Sequence, residues 1–600
     1  MTAVATATPS KLWKYLTIVL IALLVLIALR MLLTASVVKP DFSILNQEQA
    51  MSDKWTWPVI KWGLLLPIVA ASLVFGARWG MASKKASAPQ QQGQAHLQQG
   101  VVSDQTKREY VLEVIGLGVT LDKYRQGKLW AALQAGNSHT TIREQDKEKY
   151  EWSAQDKEGL GGGRGGDSLE NGAQYTPMYF GVPVFDAESP VKNPMRIDQQ
   201  TAPLMMGLAG GADSSGMAWH LFVIGPSRSG EYPDRILEDV FAFFDAHPDV
   251  PYIVLNSDDG MGPRDSNRPE GAPKLLKDGY YIPEMPDSSA LFVLARRERV
   301  DPVRPFIWDD PDNRFVQKIF RWMYCELMES VPHPDRDKVV RTPAQVGADP
   351  THHERSDPVQ RPPLINEWLE AAAAFAQRPD IRGTGVAGMM GDLNPFAHHP
   401  PKEWKPTPWF PIPWNKEQLA TFDRLPTLGF IHRPTFVRLV DEQGKPITRR
   451  DAREKALQAG WQAALQSLPE AQRPHAPARV IVATGGNTDQ MIALHGTLDA
   501  YAASGGPELD SGKSSQFIDT DKRLGNTGAA TLFMQMAIGV MGSYRDGGIS
   551  AAINLRDQNE ASIVFISPPS EEKRKTQKHP NGGDVFAHHG TPAIDPENYK

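Results

Sequence analysis

The chain has 600 residues, 41% of them hydrophobic and 22% charged, with a formal net charge of −6. Those proportions belong to a folded globular chain, and the acidic balance leaves no basic footprint for nucleic acid. The single cysteine, Cys325, excludes an internal disulfide and a cysteine-rich zinc site, which fits a reducing compartment.

Two apolar stretches open the chain, 16–33 and 57–77. Each approaches the ~20 residues that cross a hydrocarbon core. Trp55, Trp57 and Trp62 cluster at one end of the second, where interfacial anchors sit. A cleaved signal peptide competes for the first stretch, with Thr34, Ala35 and Ser36 as its cleavage site. The length of that stretch and the presence of a second favour a two-helix membrane hairpin over 1–85. Lys11, Lys14, Arg78, Lys84 and Lys85 lie on the outer flanks, against Lys39 and Lys54 between the stretches. The positive-inside rule then places both ends, and the large soluble part, in the cytoplasm.

A small, polar, glutamine-rich segment, 86–104, reads as a flexible linker. Beyond it, strand-like and helix-like patterns alternate. Segments 110–121 and 178–185 read as strands, with GGGRGGD at 161–167 as a glycine loop between them. A strand at 220–226, a helix at 233–246 and a strand at 251–259 follow. The helix carries Ile236, Leu237, Val240, Phe241 and Phe244 at helical spacing, with Pro233 in its first turn. A strand at 291–300 and a helix at 312–330 complete an N-terminal α/β domain, 105–340. A Pro/Trp-rich connection, 341–425, comes next; it holds a helix near 366–377, and the prolines of HHPPKEWKPTPWFPIPWNKEQ (398–418) exclude helix and central strand there. The C-terminal α/β domain, 426–570, reads as a strand at 428–440, a helix at 450–468 and a strand at 479–486. Helices at 488–503 and 527–544 follow, then a hairpin of strands 549–555 and 561–567. Residues 571–600 form a charged, glycine-rich tail.

Three features carry candidate chemistry. Asp258, Asp259 and Asp265 cluster in SDDGMGPRD beyond a strand end, where open α/β sheets bind ligands. The carboxylates suit a divalent cation, and the glycines and aspartates equally suit a plain polar turn. Trp404, Trp409 and Trp414 alternate with prolines in a stiff segment. Those rings serve either as a protein-docking surface or as packing against the chain's own domains. Ser227 in GPSRSG follows a strand, but the nucleophile elbow requires glycine where Ser229 stands. The adjacent pairs His352–His353, His398–His399 and His588–His589 match no metal-ligand spacing, and neither HExxH nor CxxC occurs. No cofactor and no metal are expected.

The last third resembles the C-terminal half of thiolase-like condensing enzymes. VIVATGGNTD (480–489) is similar to the strand and turn that carry the family's first active-site histidine. RLGNTGAA (523–530) is similar to its Gly-His-Thr-Gly turn, and 552–565 to its closing strand pair. Thr484 and Asn526 stand at the two histidine positions, and neither shuttles protons near neutral pH. A rival alignment through His495, Gly496 and Thr497 falls inside a predicted helix, and Cys325 sits mid-helix rather than at a strand-to-helix turn.

The whole chain resembles the type VI secretion lipase adapter family. The resemblance rests on LEVIGLGVTLDKYRQ (112–126), VFAFFDAHPDVPYIVLNSDDGMGPRD (240–265), DGYYIPEMPDSSALFVLARRERVDP (278–302), KEWKPTPWFPIPW (402–414) and DTDKRLGNTGAATLFMQMAIGVMGSYR (519–545). It implies a non-catalytic adapter or chaperone that binds a phospholipase effector and helps load it onto the spike protein of the secretion machine. The combined expectation is an α/β protein in which two transmembrane helices precede two α/β domains, the second thiolase-like. It would sit at the bacterial inner membrane with its soluble part cytoplasmic. Two other readings are an enzyme with an unrecognised thiolase-like or hydrolytic site, and a structural inner-membrane component of an envelope complex.

Overall fold

Apolar runs such as LEVIGLGVTL and SSALFVLA carry too few charges for a half-solvated strand and read as strands buried on both faces. In the computed structural model they join a single mixed sheet of twelve strands. The structure describes residues 110–190, 222–309 and 401–589, apart from a few positions within these ranges, together with Ala374. All belong to the second of the chain's two structural units, residues 101–600.

The strands are β1 (Leu112–Leu121), β2 (Tyr124–Arg125), β3 (Val182–Glu188), β4 (Phe222–Ser229), β5 (Tyr252–Asp259) and β6 (Ser288–Ala295) in the N-terminal half. The C-terminal half supplies β7 (Gly429–Ile431), β8 (Thr435–Arg438), β9 (Arg479–Ala483), β10 (Phe517–Asp519), β11 (Ser550–Asn554) and β12 (Glu560–Ser567). Their order is β10-β9-β11-β12-β7-β1-β6-β5-β3-β4, with β2 on β1 and β8 on β12. This order contains a duplication. Read outward from the middle, the N-terminal half runs β1-β6-β5-β3-β4 and the C-terminal half β7-β12-β11-β9-β10. The pairings repeat as well. β3 is parallel to β4 and β5, as β9 is to β10 and β11. β6 is antiparallel to β1 and β5, as β12 is to β7 and β11. The antiparallel pair β1–β7 joins the halves edge to edge.

The helix Thr531–Asp546 is the centre of the core. Every residue from Thr531 to Tyr544 is buried, which marks a helix covered on all sides rather than an amphipathic one. Its apolar side chains share one cluster with β1, β5, β6 and the helix Ile236–Ala246, so both halves close on the same interior.

Several expectations are corrected. Among the described residues no helix is long and apolar enough to cross a membrane. That finding overturns the pair of transmembrane helices and the inner-membrane placement built on them. The stretches 16–33 and 57–77 themselves lie outside the described residues, as do the linker 86–104 and most of the helices expected at 312–330 and 366–377. The two expected α/β domains contribute strands to one shared sheet. The glycine run at 161–167 is not a loop: it lies inside the helix Ala154–Ala173. Low helix propensity is overridden by packing. The helix lies so close to β1 that a Cβ on Gly118 would sit 1.8 Å from the Ser168 carbonyl oxygen, and one on Gly116 2.0 Å from that of Gly172. The strand expected at 428–440 is broken into β7 and β8, both paired to β12.

Candidate functional site

The duplication brings the ends of two equivalent strands, β5 and β11, to one seam between the halves. Asp259 ends β5. Its Oδ2 accepts the Ala529 N–H (2.7 Å) just ahead of the helix Thr531–Asp546, and its Oδ1 accepts the Gly260 N–H (2.7 Å). Asn554 ends β11 and makes the reciprocal contact. Its Nδ2 donates to Asp234 Oδ2 (2.8 Å), just ahead of the helix Ile236–Ala246, and the Ser562 hydroxyl donates to the same oxygen (2.7 Å). Gly528 has φ +55°, and a Cβ there would lie 1.9 Å from Asp259 Oδ2, so the approach needs glycine.

Arg264, on the short helix Met261–Ser266, bridges the seam's acids. It donates to both oxygens of Asp259 (2.9 and 2.7 Å) and to both of Glu231 (2.8 and 2.9 Å). Burial works against its charge, but the hydrogen bonds to the two carboxylates outweigh it and hold its pKa above the usual value. The same bonds hold Glu231 below the usual carboxylate range. Asp234 has no such cation against it. Burial pushes it up to about 6, against the hydrogen bonds from Ser562 and Asn554, and its Oδ1 has no partner.

Thr484 and Asn526, aligned above with the histidine positions of thiolase-like enzymes, border this seam. The Thr484 and Gly485 N–H groups donate to Asp521 Oδ2 (2.6 and 2.8 Å). Asn526 Oδ1 accepts the Gly528 N–H (2.9 Å) and Arg556 Nη2 (2.6 Å). Arg556 Nη1 reaches the Gly528 carbonyl (2.8 Å) and Thr531 Oγ1 (2.6 Å). A guanidinium, a donor-only group, therefore fills the space beside Asn526. This arrangement holds backbone turns. His495, the rival candidate, lies on the helix Thr488–Ala503 and stacks on Phe517 at 5.2 Å.

The carboxylates of SDDGMGPRD do not converge. Asp258 and Asp259 alternate to opposite faces of β5, and Asp265 is turned to the Leu275 N–H (2.5 Å) and Arg268 (3.0 Å). Trp404, Trp409 and Trp414 are buried in the main core. Trp409 packs edge-on against Tyr179, Phe243 and His247, and Trp404 Nε1 donates to the Phe410 carbonyl (2.9 Å). Ser227 lies within β4 rather than on a turn. His588 Nε2 stands 3.8 Å from Asp167, while His589 stacks on His579 at 3.9 Å. His352, His353, His398, His399 and Cys325 lie outside the described residues. Among the described residues no group of three or more His, Cys, Asp or Glu side chains is arranged to hold a metal. Sequence reasoning missed Asp234, Arg264 and Arg556; only Arg264, five residues after Asp259, carried a local signal.

Two family models match the chain. "Type VI lipase adapter protein Tla3, N-terminal" matches residues 110–278, and "Type VI lipase adapter protein Tla3, C-terminal" matches residues 428–568; together they cover more than half of the sequence. The first match spans β1 to β5 and the second β7 to β12. Among solved structures the chain is similar to the ishigamide ketosynthase/chain length factor, at 9% identity and TM-score 0.35, over 77% of this chain and 100% of that one. A variant of OleA from Xanthomonas campestris matches at 8% identity and TM-score 0.32, over 76% and 98%. The ketosynthase from module 6 of the bacillaene synthase of Bacillus subtilis 168 matches at 7% identity and TM-score 0.36, over 77% and 71%. At these scores the structural likenesses carry no argument about this chain.

Proposed function

We propose a carrier role on one premise: the chain belongs to the type VI lipase adapter family. In this role it binds a phospholipase effector and aids its loading onto the spike protein of the secretion machine, and it catalyses nothing itself. The observation that carries the reading is the pair of family matches, one on each half of the duplicated sheet. The seam supports it. Where a condensing enzyme needs two imidazoles, Thr484 and Asn526 instead hold turns, and Arg556 fills the space beside Asn526.

Affinity purification of the full chain from cells with the lipase gene present or deleted tests the reading. Recovery of the lipase, and of the spike protein only when the lipase is present, is the expected outcome. Failure to recover either protein would count against a carrier. Turnover of acyl or ester substrates by the same preparation, lost on Ser227→Ala or Asp258→Asn, would replace the carrier reading with an enzymatic one.

A further inference from the structure

On the face of β5 opposite Asp259 lies a second acidic group that the seam does not use. Asp186 and Glu188 of β3 stand in register with Asn256 and Asp258 of β5. Ser227 of β4 is in register with Asp186, and Ser289 of β6 with Asp258. Strand pleating puts all six side chains on one face, and Asn256 Nδ2 does donate to Asp186 Oδ1 (3.2 Å). Asp186, Glu188 and Asp258 are each part-exposed. Among the described residues none of the three has a basic partner, whereas Asp259 on the other face is clamped by Arg264. The Ser289 hydroxyl makes the gap specific. It is 2% exposed, has no hydrogen-bond partner, and sits on the strand directly beside Asp258. A buried polar atom left unpaired beside Asp258, with two more carboxyls on the next strand and no basic partner for any of them among the described residues, marks a place built for a polar cation.

We infer that this face of β3, β5 and β6 is the seat for an arginine side chain of the protein cargo. The assignment rests on the carrier reading and names the chemistry of its contact. A planar guanidinium has five N–H donors, enough to serve carboxylates on neighbouring strands at once. Among the described residues no group of three or more His, Cys, Asp or Glu side chains is arranged to hold a metal ion. The electrostatics agree. Burial, with Glu188 and Asp258 nearby, pushes Asp186 up to about 7; burial, with Asp259, Glu188 and Asp287 nearby, pushes Asp258 up to about 6. Glu188 is raised by burial against a hydrogen bond from Ser227. Arg164, on the helix Ala154–Ala173, is engaged with Asp287 and the Asp122 carbonyl.

The test compares the full wild-type chain with a near-isosteric triple variant, Asp186→Asn, Glu188→Gln and Asp258→Asn. Asp451→Asn, a remote surface change, is the control. Tri-arginine and uncharged tri-citrulline are titrated into each, and recovery of the lipase is measured alongside. Wild type and control should bind tri-arginine at least tenfold more tightly than the triple variant does, and tri-citrulline weakly throughout. Lipase recovery should fall at least tenfold in the triple variant with its melting temperature kept. Equal tri-arginine binding by wild type and triple variant, no binding to either, or equal lipase recovery by both overturns the assignment. Selective tri-arginine binding without any lipase recovery leaves the cation seat standing and removes the carrier reading instead.

Discussion

Asn554 donates a hydrogen bond to Asp234 across the seam, 320 residues apart in sequence and 2.8 Å apart in space. The contact is the counterpart of Asp259 on Ala529, so each half uses the end of one strand to fix the start of a helix in the other half. The two locks differ in charge. Asp259 is met by a guanidinium, whereas Asp234 is met only by neutral donors.

That difference predicts a pH dependence. Asp234 has its folded pKa raised to about 6, from an ordinary value near 3.9. Its contribution to stability is therefore fully present below about pH 4 and is lost as pH rises through about 6. Asp234→Asn removes the titration while keeping an oxygen for Asn554 and Ser562. Relative to wild type, the variant should gain about 2 kcal/mol between pH 4 and pH 7.5, within a factor of two. Urea unfolding at the two pH values measures it, and a constant difference would exclude Asp234 as the titrating group.

His432 predicts the opposite slope. It is buried, with Nδ1 2.9 Å from the Ser467 carbonyl and Nε2 2.7 Å from Ser567 Oγ. The carbonyl can only accept, so Nδ1 carries the proton and Nε2 accepts from the serine hydroxyl. Burial lowers its pKa to about 4. Stability is thus present above the unfolded value near 6.5 and is lost as pH falls towards 4, by roughly 3 kcal/mol. His432→Gln should flatten the acid limb of the unfolding curve between pH 4 and 6.5. An unchanged limb would assign acid lability elsewhere, with His579, also lowered to about 4, as the next group to replace.

Much of the sheet is legible in sequence because the strands are short apolar runs bounded by turn residues. β1, β5, β9 and the β11–β12 hairpin fall close to their expected positions. The duplication is not legible, because it lives in pairing order: β1 and β7 are equivalent, yet LEVIGLGVTL and GFI share no pattern. The helix Ala154–Ala173 misleads for a related reason. Its glycines read as a loop, but they answer a neighbour, β1, that no local window contains. In the seam, Thr484 and Asn526 were found through a motif likeness, whereas Arg556 and Asp234 have partners in distant sequence and leave no local trace.

The glycines where that helix meets β1 should separate into two classes on substitution, Gly118 on the strand against Gly165 and Gly166 on the helix. Gly118→Ala drives a methyl into the Ser168 backbone, where nothing can yield, so a loss of several kcal/mol or failure to fold is expected. Gly165 and Gly166 have nothing within 4 Å of a built Cβ. Alanine at either should stabilise by about 0.5–1 kcal/mol through helix propensity alone. Thermal melts of the three single variants decide the matter. Destabilisation by Gly165→Ala would mean that this stretch is not helical in solution.

Arg556 predicts how far the seam depends on one side chain. Its guanidinium ties Asn526, Gly528 and Thr531 together at the start of the buried helix, and Asp259 reaches the same turn from the other half. Arg556→Ala removes one charged donor from each of the Gly528 carbonyl, the Thr531 hydroxyl and Asn526 Oδ1, while the Thr531 hydroxyl still donates to the Gly528 carbonyl, so the cost is about 1–3 kcal/mol. Arg556→Lys supplies one point donor in place of a fork and should recover less than half of it. If the two turns act as one unit, Arg556→Ala and Asp259→Asn together will cost less than the sum of the single changes, because either alone already frees the turn. Strict additivity in a double-mutant cycle would show instead that the two residues hold the turn independently.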